Sequence, residues 1–127
     1  FQELIDDSYV DTKKVKRVNL CTGKIYYDLL EKQQADNRKD VAVVRLEQIY
    51  PMPEKQMENL MKKYPKAEFC WVQEEPKNMG AWMHILRYDW ARGFKEITRR
   101  SSASPATGYA SVHKKEQKAI IEEAFDI

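Results

Sequence analysis

The sequence predicts a three-layer α/β domain, a mostly parallel sheet of four or slightly more strands with helices on both faces. Three observations carry that reading. Val41-Ala42-Val43-Val44-Arg45-Leu46 and Phe69-Cys70-Trp71-Val72 are short, almost wholly apolar runs bounded by turn signals, the pattern of strands buried on both faces. Segments with apolar residues at helical spacing lie between them. Strand, helix and strand also succeed one another within about 30 residues, the length of a βαβ unit.

Residues 1–14 are polar with scattered apolar side chains and read as a connector from a preceding domain, which leaves 15–127 as the α/β domain. The chain opens on Phe1 rather than Met and reads as a piece of a longer polypeptide. Lys13, Lys14, Lys16 and Arg17 close the connector, a basic run expected on a solvated or docking face. Residues 18–21 form the first strand and Thr22-Gly23 a turn. A helix over 24–36 then carries Tyr26, Leu29, Leu30 and Gln33 on one side. After a charged turn at 36–40 comes the clearest strand, 41–46, expected to be central.

Tyr50-Pro51-Met52-Pro53 is a stiff turn, and Pro53 opens a helix where its missing N–H costs nothing. Met57, Leu60, Met61 and Tyr64 make the buried stripe of that helix, and Pro65 stops it. The strand at 69–72 is expected to end at Glu74-Glu75-Pro76, because Pro76 donates no backbone hydrogen bond and keeps Glu75 out of helical geometry. A helix over 80–90 should follow, burying Trp82, Ile85, Leu86 and Trp90. Lys95–Arg99 is a weaker strand near an edge, and residues 101–111 are small and flexible in composition. The last helix, 112–125, offers Val112, Ala119, Ile120, Ala124 and Phe125 as its stripe.

Composition excludes several functions. With 22 basic and 20 acidic residues in 127, the net charge of +2 lacks the basic face of a nucleic-acid or membrane-surface binder. No apolar run approaches the ~20 residues that span a bilayer, and no signal-peptide pattern is present. Cys21 and Cys70 both fall inside strands and read as buried thiols. Two cysteines and two separated histidines offer no metal spacing. Thr22-Gly23-Lys24 lacks the earlier glycine and the following hydroxyl of a phosphate loop, since Val18 and Ile25 stand there.

The loop leaving the carboxyl end of a strand is where open α/β sheets meet ligands and partners. Gln73, Glu74, Glu75, Lys77 and Asn78 are therefore the interface candidates. Neighbouring strand residues point to opposite faces, so Glu74 and Glu75 do not form a shared-proton pair. One of them is expected to accept from the N–H groups that open the next helix. His84 lies within a helix and His113 at the start of one, with no nucleophile directed at either by motif. Arg99, Arg100, Thr107, Gly108, Lys114 and Lys115 bring cations, a hydroxyl, a glycine and a helix start together, a candidate anion site.

Four blocks make the chain resemble a known family. They are Cys21-Thr22-Gly23-Lys24-Ile25-Tyr26-Tyr27-Asp28, Arg45-Leu46-Glu47-Gln48-Ile49-Tyr50-Pro51, the run from Trp71 through Glu74-Glu75-Pro76-Lys77-Asn78 to Trp82, and Ser104-Pro105-Ala106-Thr107-Gly108 with Val112-His113-Lys114-Lys115. In order, they are similar to the carboxyl-terminal domain of thiamine-diphosphate-dependent 2-oxoglutarate dehydrogenase, the decarboxylating first component of its complex. The resemblance implies a transketolase carboxyl-terminal fold with one antiparallel edge strand, and a role in holding a homodimer together beside the approach to the active site.

It further implies that the whole enzyme decarboxylates 2-oxoglutarate on thiamine diphosphate and Mg²⁺. The succinyl group then passes to the lipoyl-bearing succinyltransferase component. The family's catalytic histidines and its diphosphate and metal ligands lie in the two preceding domains, so no catalytic, cofactor-binding or metal residue is carried over to this chain. Some actinobacterial relatives bind acetyl-CoA on this domain; Gln48 matches them, but Glu54-Lys55-Gln56 stands where they carry arginines. A bacterial cytoplasm is the expected location, with the mitochondrial matrix as the alternative. Two other readings stay open: a ligand-sensing module for acetyl-CoA or a nucleotide, and the equivalent domain of a 2-oxoadipate dehydrogenase.

Overall fold

The computed structural model describes residues 2–99 and 110–127, the side chains of 110–112 excepted. Its elements run β1 (Leu4–Ile5), β2 (Arg17–Cys21), α1 (Ile25–Ala35), β3 (Val41–Leu46), α2 (Glu54–Lys63), β4 (Glu68–Pro76), α3 (Trp82–Ile85), β5 (Lys95–Arg99) and α4 (Ala110–Ala124). Short 3-10 turns lie at Thr12–Lys14 and Asp89–Gly93. The strands form one mixed sheet in the order β1-β3-β2-β4-β5, parallel throughout except for β1, which runs antiparallel to β3.

Strand alternation divides the apolar side chains between two cores. Val18, Leu20, Val44, Leu46, Phe69 and Trp71 face α2 and α3, where Met57, Leu60, Trp82 and Ile85 complete the layer. Cys21, Val41, Val43, Cys70 and Val72 face the other way, onto Ile25 and Leu29 of α1 and Ile120 and Ala124 of α4. A strand with no exposed face needs apolar residues at consecutive positions, which is why the runs at 41–46 and 69–72 do not alternate.

Several expectations need correction. Leu4 and Ile5, placed in a connector by their sequence context, pair with Leu46 and Arg45 as the antiparallel edge of the sheet. Asp7 secures them: its Oδ2 accepts from Val43 N and Gln33 Nε2, both at 2.7 Å, and its Oδ1 from Tyr9 N and Val10 N. A two-residue strand is too short to show a period. Arg17, grouped with a solvated basic run, is 2% exposed. Its guanidinium bonds Glu68 and the carbonyls of Glu123 and Ala124 at the end of α4.

β4 ends at Pro76, the residue expected to stop it, but Gln73, Glu74 and Glu75, expected in a loop, belong to the strand, and the register against β5 breaks between Val72 and Pro76 before pairing resumes at Arg99. The irregularity lets a residue without an N–H sit in a strand. The helix expected over 80–90 is instead one turn, α3, followed by an extended residue at Tyr88 (φ −94, ψ 136) and the 3-10 turn. Leaving helical geometry there lets Ala91 and Phe94 join the same core as Trp82, and it leaves Leu86 on the surface. In α4, Ala119 is exposed rather than buried, while Ile120, Ala124 and the following Phe125 are covered. Val112 belongs to the side chains outside the description.

Candidate functional site

β2 lies between β3 and β4, so the chain leaves β2 toward one side of the sheet and later returns on the other. The carboxyl ends of β2 and β4 are thus the topological switch point, where α/β sheets present ligands and partners. Thr22, Gly23 and Lys24 lie at one lip, and Gln73, Glu74 and Glu75 at the other.

Gln73 organises this corner. It is 2% exposed and, two residues on from Trp71, shares that residue's face of the strand. Its Oε1 accepts from Trp71 Nε1 at 2.8 Å and from the backbone N–H of Trp82 at 3.1 Å. Its Nε2 donates to the carbonyls of Pro76 and Met79, both at 2.8 Å, with Glu75 O at 3.3 Å. A carboxamide offers two donors and one accepting oxygen, and here all are used. One side chain therefore ties the strand end, the turn at 77–80 and the start of α3 together, beneath the stacked rings of Trp71 and Trp82, 6.5 Å apart. The acceptor expected from a glutamate is supplied by this amide.

Gly80 completes the turn. Its φ is +68, and a Cβ there would stand 3.1 Å from Gln73 Oε1 and 3.3 Å from Glu75 Cδ, so both conformation and space call for glycine.

The remaining loop candidates point in different directions. Glu74 is half-buried with its Oε1 3.9 Å from Lys24 Nζ across the switch point. Glu75 and Asn78 are exposed, and Lys77 pairs with Glu96 at 2.9 Å. Nothing in the corner is built to move a proton: its centre is a neutral amide, and Glu74 and Glu75 diverge. The two thiols are buried and free. Burial pushes Cys21 up to about 12, and Cys70 up to about 11, so both stay protonated and inert near neutrality.

The anion-site candidates are placed as follows. Arg99 is 9% exposed and turns onto α4, where it meets His113, Glu116 and Gln117. Lys114 lines a cleft between α1 and α4, and Lys115 is exposed. Arg100, Thr107 and Gly108 lie outside the described residues. Gln48 donates to Pro51 O at 2.8 Å, and Glu54, Lys55 and Gln56 are exposed nearby in sequence. His84 is half-buried, edge-on to Tyr88. Among the described residues no three His, Cys, Asp or Glu side chains gather to hold a metal ion, and no helix is long and apolar enough to cross a membrane.

Two anchoring groups went unnoticed in the sequence. Asn19, in the middle of β2, donates to Ala124 O at 2.8 Å, and Arg38 donates to Phe125 O at 2.9 Å. With Arg17 they satisfy the carbonyls that end α4 and place positive charge at the negative end of its dipole. A polar residue inside the apolar run 18–21 was the available signal for Asn19.

The chain matches the family model described as 2-oxoglutarate dehydrogenase C-terminal over residues 1–125. It is 43% identical over 127 residues to the 2-oxoglutarate dehydrogenase E1 component of Azotobacter vinelandii, covering 93% of this chain and 14% of that protein. It is 42% identical over 134 residues to the oxoglutarate dehydrogenase of Buchnera aphidicola, covering 100% of this chain and 15% of that protein. The E1 component of Cupriavidus necator is 44% identical over 132 residues, which cover 98% of this chain and 14% of the relative. The chain thus spans about one seventh of the length of these relatives.

Proposed function

The chain belongs to the 2-oxoglutarate dehydrogenase C-terminal family, and from that premise we propose that it is the structural and dimer-interface domain of a 2-oxoglutarate dehydrogenase E1 component. In this reading its fold is of the transketolase carboxyl-terminal type, and residues 4–10 are part of the domain proper. The whole polypeptide decarboxylates 2-oxoglutarate with thiamine diphosphate and Mg²⁺ held by its other domains, in a bacterial cytoplasm. It hands the succinyl group to a lipoyl arm of the succinyltransferase. No step of that chemistry passes through the residues described here; their part is to position what binds next to them.

One observation carries the interface role. Five large apolar side chains are exposed among the described residues, and four of them, Tyr27, Tyr50, Met83 and Leu86, follow the carboxyl ends of β2, β3 and β4. Exposed apolar and aromatic groups that follow three strand ends, with charged neighbours in sequence such as Lys24 and Glu75, suit a protein–protein contact along that rim of the sheet. In the full-length enzyme, Tyr27→Lys combined with Tyr50→Lys should weaken the dimer by tenfold or more, roughly the loss of one modest hot spot. Sedimentation at falling concentration measures it. An unchanged dissociation constant would remove the rim from the interface.

A further inference from the structure

The net charge of +2 conceals an uneven division of charge. At the amino ends of β2, β3 and β4, backbone hydrogen bonds draw three segments together. Asp11 N donates to Lys39 O at 3.3 Å, Lys16 N to Asp40 O at 2.7 Å, and Glu68 N to Lys16 O at 2.9 Å. Residues 11–17, 38–40 and 66–68 thereby meet in one place, and they carry seven cations against three carboxylates. That excess of four is larger than the charge of the whole chain, so the rest of the domain is net acidic.

The carboxylates of these segments are spent locally. Asp40 binds Arg38 at 2.9 Å, Glu68 binds Arg17 at 2.9 Å, and Asp11 stands 4.0 Å from Lys14. Arg17 and Arg38 also turn inward onto the carbonyls that end α4. What remains at the surface is lysine. Lys13, Lys16, Lys39 and Lys66 are exposed, and none of them forms an ion pair among the described residues. Lys39 instead lies 3.9 Å from the centre of the Tyr9 ring. The other acids of this end of the domain, Asp36, Glu122, Glu123 and Asp126, line a separate cleft between α1 and α4.

We propose that this lysine face docks an acidic polypeptide. Charge complementarity across a contact speeds encounter and fixes orientation, and four exposed ammonium groups on three adjoining segments supply it. The chemistry of the face selects among anionic partners. Both arginines are occupied, so no free guanidinium fork remains to clamp a phosphate at two points. None of the exposed large apolar side chains belongs to these segments, which leaves the face without a platform for stacked bases or a wedge for a lipid surface. The exposed apolar residues Tyr27, Tyr50, Met83 and Leu86 follow the opposite ends of the same strands. The two surfaces are therefore separate, and this inference does not depend on the dimer contact.

The test uses the full-length enzyme and a biotinylated polyglutamate of about 20 residues at about 20 mM salt, where screening is weak. A water-soluble carbodiimide joins lysine amines to carboxylates held against them, and mass spectrometry maps the amides. Yields are normalised to each amine's reaction with a neutral acylating reagent. Coupling at Lys13, Lys16, Lys39 and Lys66 should exceed that at Lys55, Lys115 and Lys118, exposed elsewhere on the domain, by roughly tenfold. The preference should vanish at about 0.5 M salt. Lys16→Glu with Lys66→Glu should cut coupling at Lys13 and Lys39 about fivefold, while Lys55→Glu with Lys118→Glu leaves it unchanged. Even coupling across all of these lysines, or none at the face, would overturn the proposal. So would protection of the face by duplex DNA or phosphatidylserine vesicles at concentrations where unlabelled polyglutamate gives none. If the face variant fails to fold, Lys16→Gln with Lys66→Gln replaces it, with a loss of about twofold expected.

Discussion

At the scale of single residues, the corner after β4 depends on one amide. Removing Gln73 leaves Trp71 Nε1 and Trp82 N–H without their acceptor and takes one donor each from the carbonyls of Met79 and of Pro76, the latter keeping the Met79 N–H. Each orphaned buried group costs about 1–3 kcal/mol, partly recovered by relaxation. Gln73→Ala should therefore lower stability by about 3 kcal/mol in urea unfolding, whereas Glu75→Gln, on an exposed neighbour, should stay within about 0.5 kcal/mol. Equal effects would refute the hub. In the sequence the paired acids are conspicuous and the glutamine is not, because residue type does not show which lone pairs face inward. The thiols give a second prediction. Burial keeps Cys21 and Cys70 neutral up to about 12 and about 11, against an ordinary 9.0. Above pH 9 the unfolded chain therefore sheds two protons that the folded chain retains. Their contribution to stability is flat below pH 9 and declines as pH climbs toward 11–12. Cys70→Ala should flatten part of that decline, and at pH 8 neither native thiol should react with iodoacetamide until denaturant is added. Rapid labelling of the native protein would contradict this.

Elements were legible in proportion to the strength of their periodic signal. β3 and β5 occupy the runs at 41–46 and 95–99, and α2 spans the Met57–Leu60 stripe, stopping one residue before Tyr64, which is itself buried. Local apolar pattern decides such elements because each buries its own face. β1 and α3 are decided elsewhere: β1 by Asp7 reaching Val43, α3 by Gln73 reaching back to Trp82. The spacing of Trp82, Ile85 and Trp90 suits a long helix, yet tertiary contact prevails: Tyr88 stacks on Trp90 at 5.7 Å, and Phe94 meets Trp90 tilted at 5.4 Å. α3 is one turn long, so helical propensity contributes little and its place rests on burial. Trp82→Ala removes a ring that is 3% exposed and stacked on Trp71, and should cost about 3–5 kcal/mol. A loss under about 1 kcal/mol would show that the ring does not hold this element.

Across the whole molecule, two separate cores sit on opposite faces of one sheet, and each has helices of its own to close it. The antiparallel edge at Leu4–Ile5 and the triple clamp on the carboxyl end of α4 join the two extremes of the chain to that sheet. Such a unit has what independent folding requires, a covered core on each side, and the carbonyls that end its last helix are satisfied. Its polar centre, by contrast, is spent on structure: the Gln73 amide is saturated, the thiols are held protonated, and Arg99 is engaged by α4. Transition-state stabilisation needs donors aimed at a reacting group rather than at the protein itself. The isolated chain, supplied with thiamine diphosphate, Mg²⁺ and 2-oxoglutarate, should therefore give one cooperative unfolding transition and no release of CO₂ above the uncatalysed rate. The first result shows that the second is measured on folded protein. Turnover by the folded chain would mean that reacting groups lie within these 127 residues, and would sink the assignment of a purely structural role.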